Sequence, residues 1–203
     1  MKIFGATRSP FVRKTRIVLA EKKVPFEFVI TDVVPAQSEV IALNPLGQVP
    51  CLVTDDGLRL YDSKVIAEYV DSLGEQPALI PAHNARERAI VKCWETLADG
   101  VADAGILIRW ELNQRAPQYR DPAWLERKRL RMSDGIAAMS AQLGERRHCF
   151  GDTLSLADIA VGAALGWVAF RFPDMDWQQD YPHLATLLAS LESRPSFQGT
   201  RPS

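Results

Sequence analysis

The 203-residue sequence predicts a two-part chain, an α/β first part followed by an all-helical second part. Three observations carry this. Strand-like and helix-like patterns alternate up to residue 73. After Gly74 no segment reads as a strand, and long helical stretches follow one another. Between them, residues 74–84 hold Pro77 and Pro81 and show poor periodicity, as a linker does. The expected division is therefore 1–73, a linker at 74–84, and 85–203.

In the first part, Lys2 to Gly5 is short enough for an opening strand. Pro10 to Lys23 carries Phe11, Thr15, Val18 and Leu19 at helical spacing. Phe26 to Ile30 is aromatic and β-branched, which favours a second strand. Gln37 to Leu43 reads as a short helix closed by Asn44-Pro45. Cys51-Leu52-Val53 and Leu58-Arg59-Leu60 flank Asp55-Asp56-Gly57, the signature of a hairpin. Asp62 to Leu73 then places Ile66, Tyr69, Val70 and Leu73 on one helical face. A small mixed sheet with packed helices follows from this order. In the second part, His83 to Ala116, Pro122 to Leu143, Leu156 to Phe170 and His183 to Ser193 read as helices. Ser155 and Asp158 have capping-box spacing at the start of the third, with Leu154 and Ile159 placed as a staple.

Composition narrows the function classes. Lys plus Arg is 24 and Asp plus Glu is 25, and each part is separately balanced. Such a chain has no bulk attraction for nucleic acid or an anionic membrane. The longest uncharged apolar run, Ile159 to Phe170, is far short of the ~20 residues of a membrane span. Cys51, Cys93 and Cys149 are odd in number and widely spaced, which predicts neither a disulfide framework nor a zinc site. A cytoplasmic, reducing environment is the expectation. His83, His148 and His183 share no metal-ligand spacing. Nucleotide-binding glycine loops and a nucleophile elbow are absent as motifs.

Three local patterns can carry chemistry. In Thr7-Arg8-Ser9-Pro10-Phe11, Ser9 fits an N-cap and Pro10 the first helical position. A helix start of this kind also stabilises an anion, and a hydroxyl there can donate to a thiolate. In Asn44-Pro45-Leu46-Gly47-Gln48-Val49-Pro50, a proline enters the third strand. Backbone groups before such a proline are left for an extended peptide-like ligand, and the peptide itself can be cis. Asp62-Ser63 opens the third helix, where the Ser63 N–H and hydroxyl can receive a carboxylate. Each pattern has a plain structural reading as a cap or a turn.

In this order the residues resemble a cytosolic glutathione S-transferase, in particular a bacterial subgroup with Ser at the sulfur contact. The resemblance rests on Ser9-Pro10-Phe11-Val12-Arg13-Lys14, on Asn44 to Pro50, and on Asp62-Ser63 followed by Ile66-Ala67-Glu68-Tyr69. Ser155-Leu156-Ala157-Asp158, Tyr181-Pro182 and Arg194-Pro195-Ser196-Phe197 extend it through the second part. It implies a thioredoxin-like N-terminal domain, an all-helical C-terminal domain, and a homodimer that uses glutathione as co-substrate. By position, Ser9 matches the residue at the glutathione sulfur and Val49, before cis-Pro50, the residue that pairs with the cysteinyl part. Asp62 and Ser63 match the pair at the γ-glutamyl end, and Gln48 reaches toward the glycyl carboxylate. Thr7 is the alternative hydroxyl at the sulfur.

Where reductase-type members carry Cys, this chain has Ser9, so no mixed disulfide can form at that position. Cys51 reads as a buried apolar residue rather than a substitute. Relatives with maleylacetoacetate isomerase chemistry carry a denser Ser and Cys cluster before the first helix. For a second, electrophilic substrate the resemblance points to the first helix of the second part, with Asp103, Leu107, Arg109 and Trp110. Of these, Trp110 reads rather as core or interface, and Arg109 as solvated. The competing readings are a non-catalytic binding partner and a carrier of apolar ligands.

Overall fold

The computed structural model describes residues 1–31, 39–73 and 77–202. The expected start of the short helix at Gln37-Ser38 and the linker residues 74–76 lie outside them. The first part contains β1 (Lys2–Gly5), α1 (Pro10–Glu21), β2 (Glu27–Ile30), α2 (Glu39–Leu43), β3 (Cys51–Val53), β4 (Arg59–Leu60) and α3 (Ser63–Leu73). Then come α4 (Ala85–Gln114), a 3₁₀ turn (Pro117–Tyr119), α5 (Pro122–Leu143), α6 (Leu156–Arg171), α7 (Trp177–Asp180), α8 (Pro182–Glu192) and α9 (Pro195–Gln198).

The sheet has the order β2-β1-β3-β4, with β1 and β2 parallel and the other pairs antiparallel. This is the thioredoxin-like arrangement that the resemblance implied. A parallel pair needs a crossover, and α1 supplies it between β1 and β2. The antiparallel pair β3-β4 needs only a turn, and Gly57 adopts φ +86 there. Ile3, Val12, Ile17, Leu19, Leu52, Ile66 and Val70 form a fully buried core between the sheet and its helices. Gly5 sets how closely α1 approaches β1: a Cβ there would lie 2.4 Å from Val12 Cγ2.

The chain divides into two compact units, Met1–Arg88 with Leu191–Ser203, and Ala89–Ser190. This division differs from the sequence boundaries, because the last thirteen residues group with the sheet and not with the helices before them. Lys22 helps close the first unit. Its ammonium, almost fully buried, pairs with Asp71 at 3.1 Å and donates to the Pro77 carbonyl. Asp71 in turn accepts from the N–H groups of Leu79 and Ile80.

The second unit is helical. α6 is buried nearly all round, as its Ala-rich, almost uncharged sequence requires. Asp158, fully buried, accepts from the Ser155 N–H at 2.9 Å, the Ser155 hydroxyl at 2.8 Å and the Cys149 N–H at 2.8 Å. The capping box is therefore present, and it ties the preceding loop to the helix start. Gly135 brings α5 against α4, since a Cβ would meet Val101 at 2.4 Å. No helix among the described residues is long and apolar enough to cross a membrane.

Candidate functional site

Strand register gathers the three sequence patterns at one end of the sheet. β1 ends at Gly5 and leads to Ser9. Phe4 lies opposite Cys51, so the start of antiparallel β3, with Val49-Pro50 before it, sits at that same end. β4 reverses again with Leu60 opposite Leu52, which returns Tyr61, Asp62 and Ser63 to it. The turns of a meandering sheet thus bring together residues that are more than fifty positions apart in sequence.

Ser9 is the N-cap of α1, with extended φ −86 and ψ 127. Its Oγ accepts from the Val12 N–H at 3.4 Å. A hydroxyl has one proton to donate, and accepting from Val12 leaves that proton available. The side chain is half-buried, at the end of a twelve-residue helix whose dipole is positive there. Thr7 is also half-buried and takes part in interactions of its own.

The Val49–Pro50 peptide is cis. Pro50 is buried and Val49 half-buried. Among the described residues neither the N–H nor the C=O of Val49 has a hydrogen-bond partner. Asn44, 2% exposed, organises this loop. Its Oδ1 accepts from the Leu46 N–H at 3.0 Å and its Nδ2 donates to the Gln48 carbonyl at 2.9 Å. Gly47 turns the chain with φ +63. The Gln48 side chain remains exposed. In the sequence, Asn44 reads as an ordinary turn residue; its burial and its two bonds make it the pin of the loop.

Asp62 caps α3 by accepting from the Lys64 N–H at 2.9 Å, and its carboxylate stays exposed. Ser63 is 3% exposed, yet neither its N–H nor its hydroxyl has a partner among the described residues. Paired donors at a helix start, beside a carboxylate, suit a ligand end that bears both a carboxylate and an ammonium group.

Cys51 is buried, and burial pushes its thiol up to about 11 despite a hydrogen bond with Asn44 that acts the other way. It stays protonated at neutral pH and is no nucleophile. On α4, Asp103, Leu107 and Trp110 are exposed and Arg109 is half-buried. Trp110, at 63% exposure, is thus not a core residue. The second unit also has an open groove of about 610 Å³ between α4 and α5, lined among others by Cys93, Leu97, Val101 and Arg131. Apart from Cys93 it is lined by none of the residues singled out in the sequence, and by no candidate site residue.

Residues 8–73 match the glutathione S-transferase N-terminal domain and residues 122–190 the C-terminal domain. An uncharacterized GST-like protein of Escherichia coli, YibF, is 38% identical over 203 residues, covering 100% of this chain and 98% of its own. The crystal structure of a glutathione S-transferase from Methylobacillus flagellatus with bound GSH superposes with a TM-score of 0.95 at 38% identity. That alignment covers 100% of this chain and 99% of that one. A glutathione S-transferase from Methylobacterium radiotolerans, in complex with glutathione sulfonate, gives 0.94 at 36% identity, over 99% and 94% of the two chains.

Proposed function

The chain belongs to the glutathione S-transferase family, and from that premise we propose that it is a glutathione transferase acting on a small, partly apolar electrophile. The observation that carries this is Ser9, whose oxygen is engaged by Val12 N–H while its proton is not. Ser9 acts as a hydrogen-bond donor to the glutathione sulfur. A free thiol has a pKa of about 8.5 and is mostly protonated at neutral pH. Donation from Ser9, with the N-terminus of α1 behind it, favours the thiolate. When bound, glutathione supplies the sulfur nucleophile; the chain supplies activation and orientation.

The unpartnered Val49 backbone supports a role in pairing with the cysteinyl residue, with Pro50 shaping the approach. The free donors of Ser63 suit the γ-glutamyl carboxylate, and the exposed Asp62 carboxylate suits its ammonium. Gln48, exposed at the loop tip, reaches toward the glycyl carboxylate. Exposed Leu107 and Trp110 on α4 support a partly apolar second substrate. We assign the working form as a cytoplasmic homodimer.

Retention on immobilised glutathione, followed by a panel of electrophiles, tests the reading. Retention with glutathione-dependent turnover of at least one electrophile is the expected result. Absence of both retention and turnover would overturn it in favour of a non-catalytic partner-binding protein.

A further inference from the structure

Residues 192–199 grip α1 along its length. Arg13, 1% exposed, pairs with Glu192 at 2.6 Å, donates to the Phe197 carbonyl at 3.3 Å and lies 5.5 Å from the Phe197 ring centre. Arg16 donates to the Gly199 carbonyl at 3.1 Å. In the last turn of α1, Glu21 is held by a two-pronged fork from Arg194 at 2.9 and 2.7 Å, and by the Ser196 hydroxyl. Glu192 is steadied from its other side by Arg201 at 3.3 Å. The charged groups around these grips are thus Arg13, Arg16, Glu21, Glu192, Arg194 and Arg201. Ser9 caps the opposite end of the same helix.

We propose that this C-terminal segment is a positioning strap for Ser9, which holds α1 so that the Ser9 hydroxyl meets the glutathione sulfur. The inference rests on the sulfur-contact role proposed above. From Ser9 to Glu21 the helix runs about 18 Å, so a tilt of about 3° at the far end moves Ser9 by about 1 Å. A displacement of that size is enough to cost about a hundredfold in a positioned reaction. Burial of Arg13 is also expensive. Its Nε and Nη1 are buried and have no hydrogen-bond partner among the described residues, and a well-packed apolar side chain would give comparable stability at less cost. A buried ion pair instead fixes one register of helix against strap. Arg13, Glu21, Glu192 and Arg194 are positioning residues and touch no substrate.

Two substitutions of opposite charge separate positioning from simple electrostatics. Glu192→Gln removes an anion and Arg194→Gln removes a cation, and each loosens one grip. The pKa of the bound glutathione thiol is read from thiolate absorbance in wild type, both variants and Ser9→Ala. Positioning raises the pKa in both strap variants, by about half a unit, with Ser9→Ala raised further. The dissociation constant for glutathione rises with it, and Arg194→Lys recovers part of the loss. A through-space charge effect instead lowers the pKa in Glu192→Gln and raises it in Arg194→Gln. Ser196→Ala, which is charge-neutral, gives a smaller rise and serves if a charged variant does not fold. Opposite shifts, or unmoved strap variants beside a shifted Ser9→Ala, would overturn the strap and leave the role of Ser9 standing. An unmoved Ser9→Ala would overturn both.

Discussion

At the scale of single residues, side chains that could be mistaken for turn filler shape the candidate site. Asn44 is the clearest. It satisfies Leu46 N–H and Gln48 C=O, and so keeps the Val49 backbone free of local bonds. Asn44→Ala leaves both groups without that partner, and the expected loss is about 1–2 kcal/mol of stability. The dissociation constant for glutathione, measured calorimetrically, rises as well; unchanged affinity in the folded variant would count against the pinning role. The caps at Ser9 and Asp62-Ser63 and the strand-entry Pro50 were legible in the sequence because such features have fixed positional signatures. Arg13 and Lys14 were not legible in their physical role. Cations ordinarily read as solvated, yet both are 1% exposed, and only the packing of the chain end explains the burial of Arg13.

At the scale of elements, two close approaches decide whether the site is built. The first is α1 against β1 at Gly5. An added methyl would lie 2.4 Å from Val12, which is itself fully buried and cannot move aside. Gly5→Ala should cost about 2 kcal/mol and displace the start of α1. Thermal unfolding together with glutathione affinity checks this, and both should fall. The second is the start of α6. Asp158→Ala removes the acceptor of the Cys149 and Ser155 N–H groups, in a fully buried setting. The expected destabilisation is about 3 kcal/mol, more than an exposed cap would give. A denaturant midpoint near wild type would contradict it. Most strands and long helices were legible from periodicity, to within about two residues at their ends. The short helices α7 and α9, of four residues each, were not, because one turn carries no period.

For the whole molecule, the sequence break near residue 74 identified where strands stop but not which segments pack together. Residues 191–203 return to the first unit. Their contacts with α1 include long-range ion pairs and hydrogen bonds, which no local pattern encodes. One of them makes stability depend on pH. Burial pushes the Glu21 carboxyl up, but hydrogen bonds from Arg194 and Ser196 and the Arg194 charge outweigh it, so the group lies below its ordinary value of 4.5. A carboxyl lowered in the folded state adds stability above its unfolded pKa and loses it as pH falls through the folded value. Glu21→Gln is therefore expected to be less stable near pH 7 and to lose less stability than wild type below about pH 4.5. Parallel acid-unfolding curves for the two proteins would contradict this.

The proposed activation of glutathione turns on a hydrogen bond donated by Ser9 to its sulfur. Titration of the bound thiol in wild type, Ser9→Ala and Thr7→Ala tests it most directly. The expected result is a thiol pKa below the free value of about 8.5 in wild type, a return toward that value in Ser9→Ala, and a wild-type titration in Thr7→Ala. An identical thiol pKa in wild type and Ser9→Ala, or a shift confined to Thr7→Ala, would contradict it.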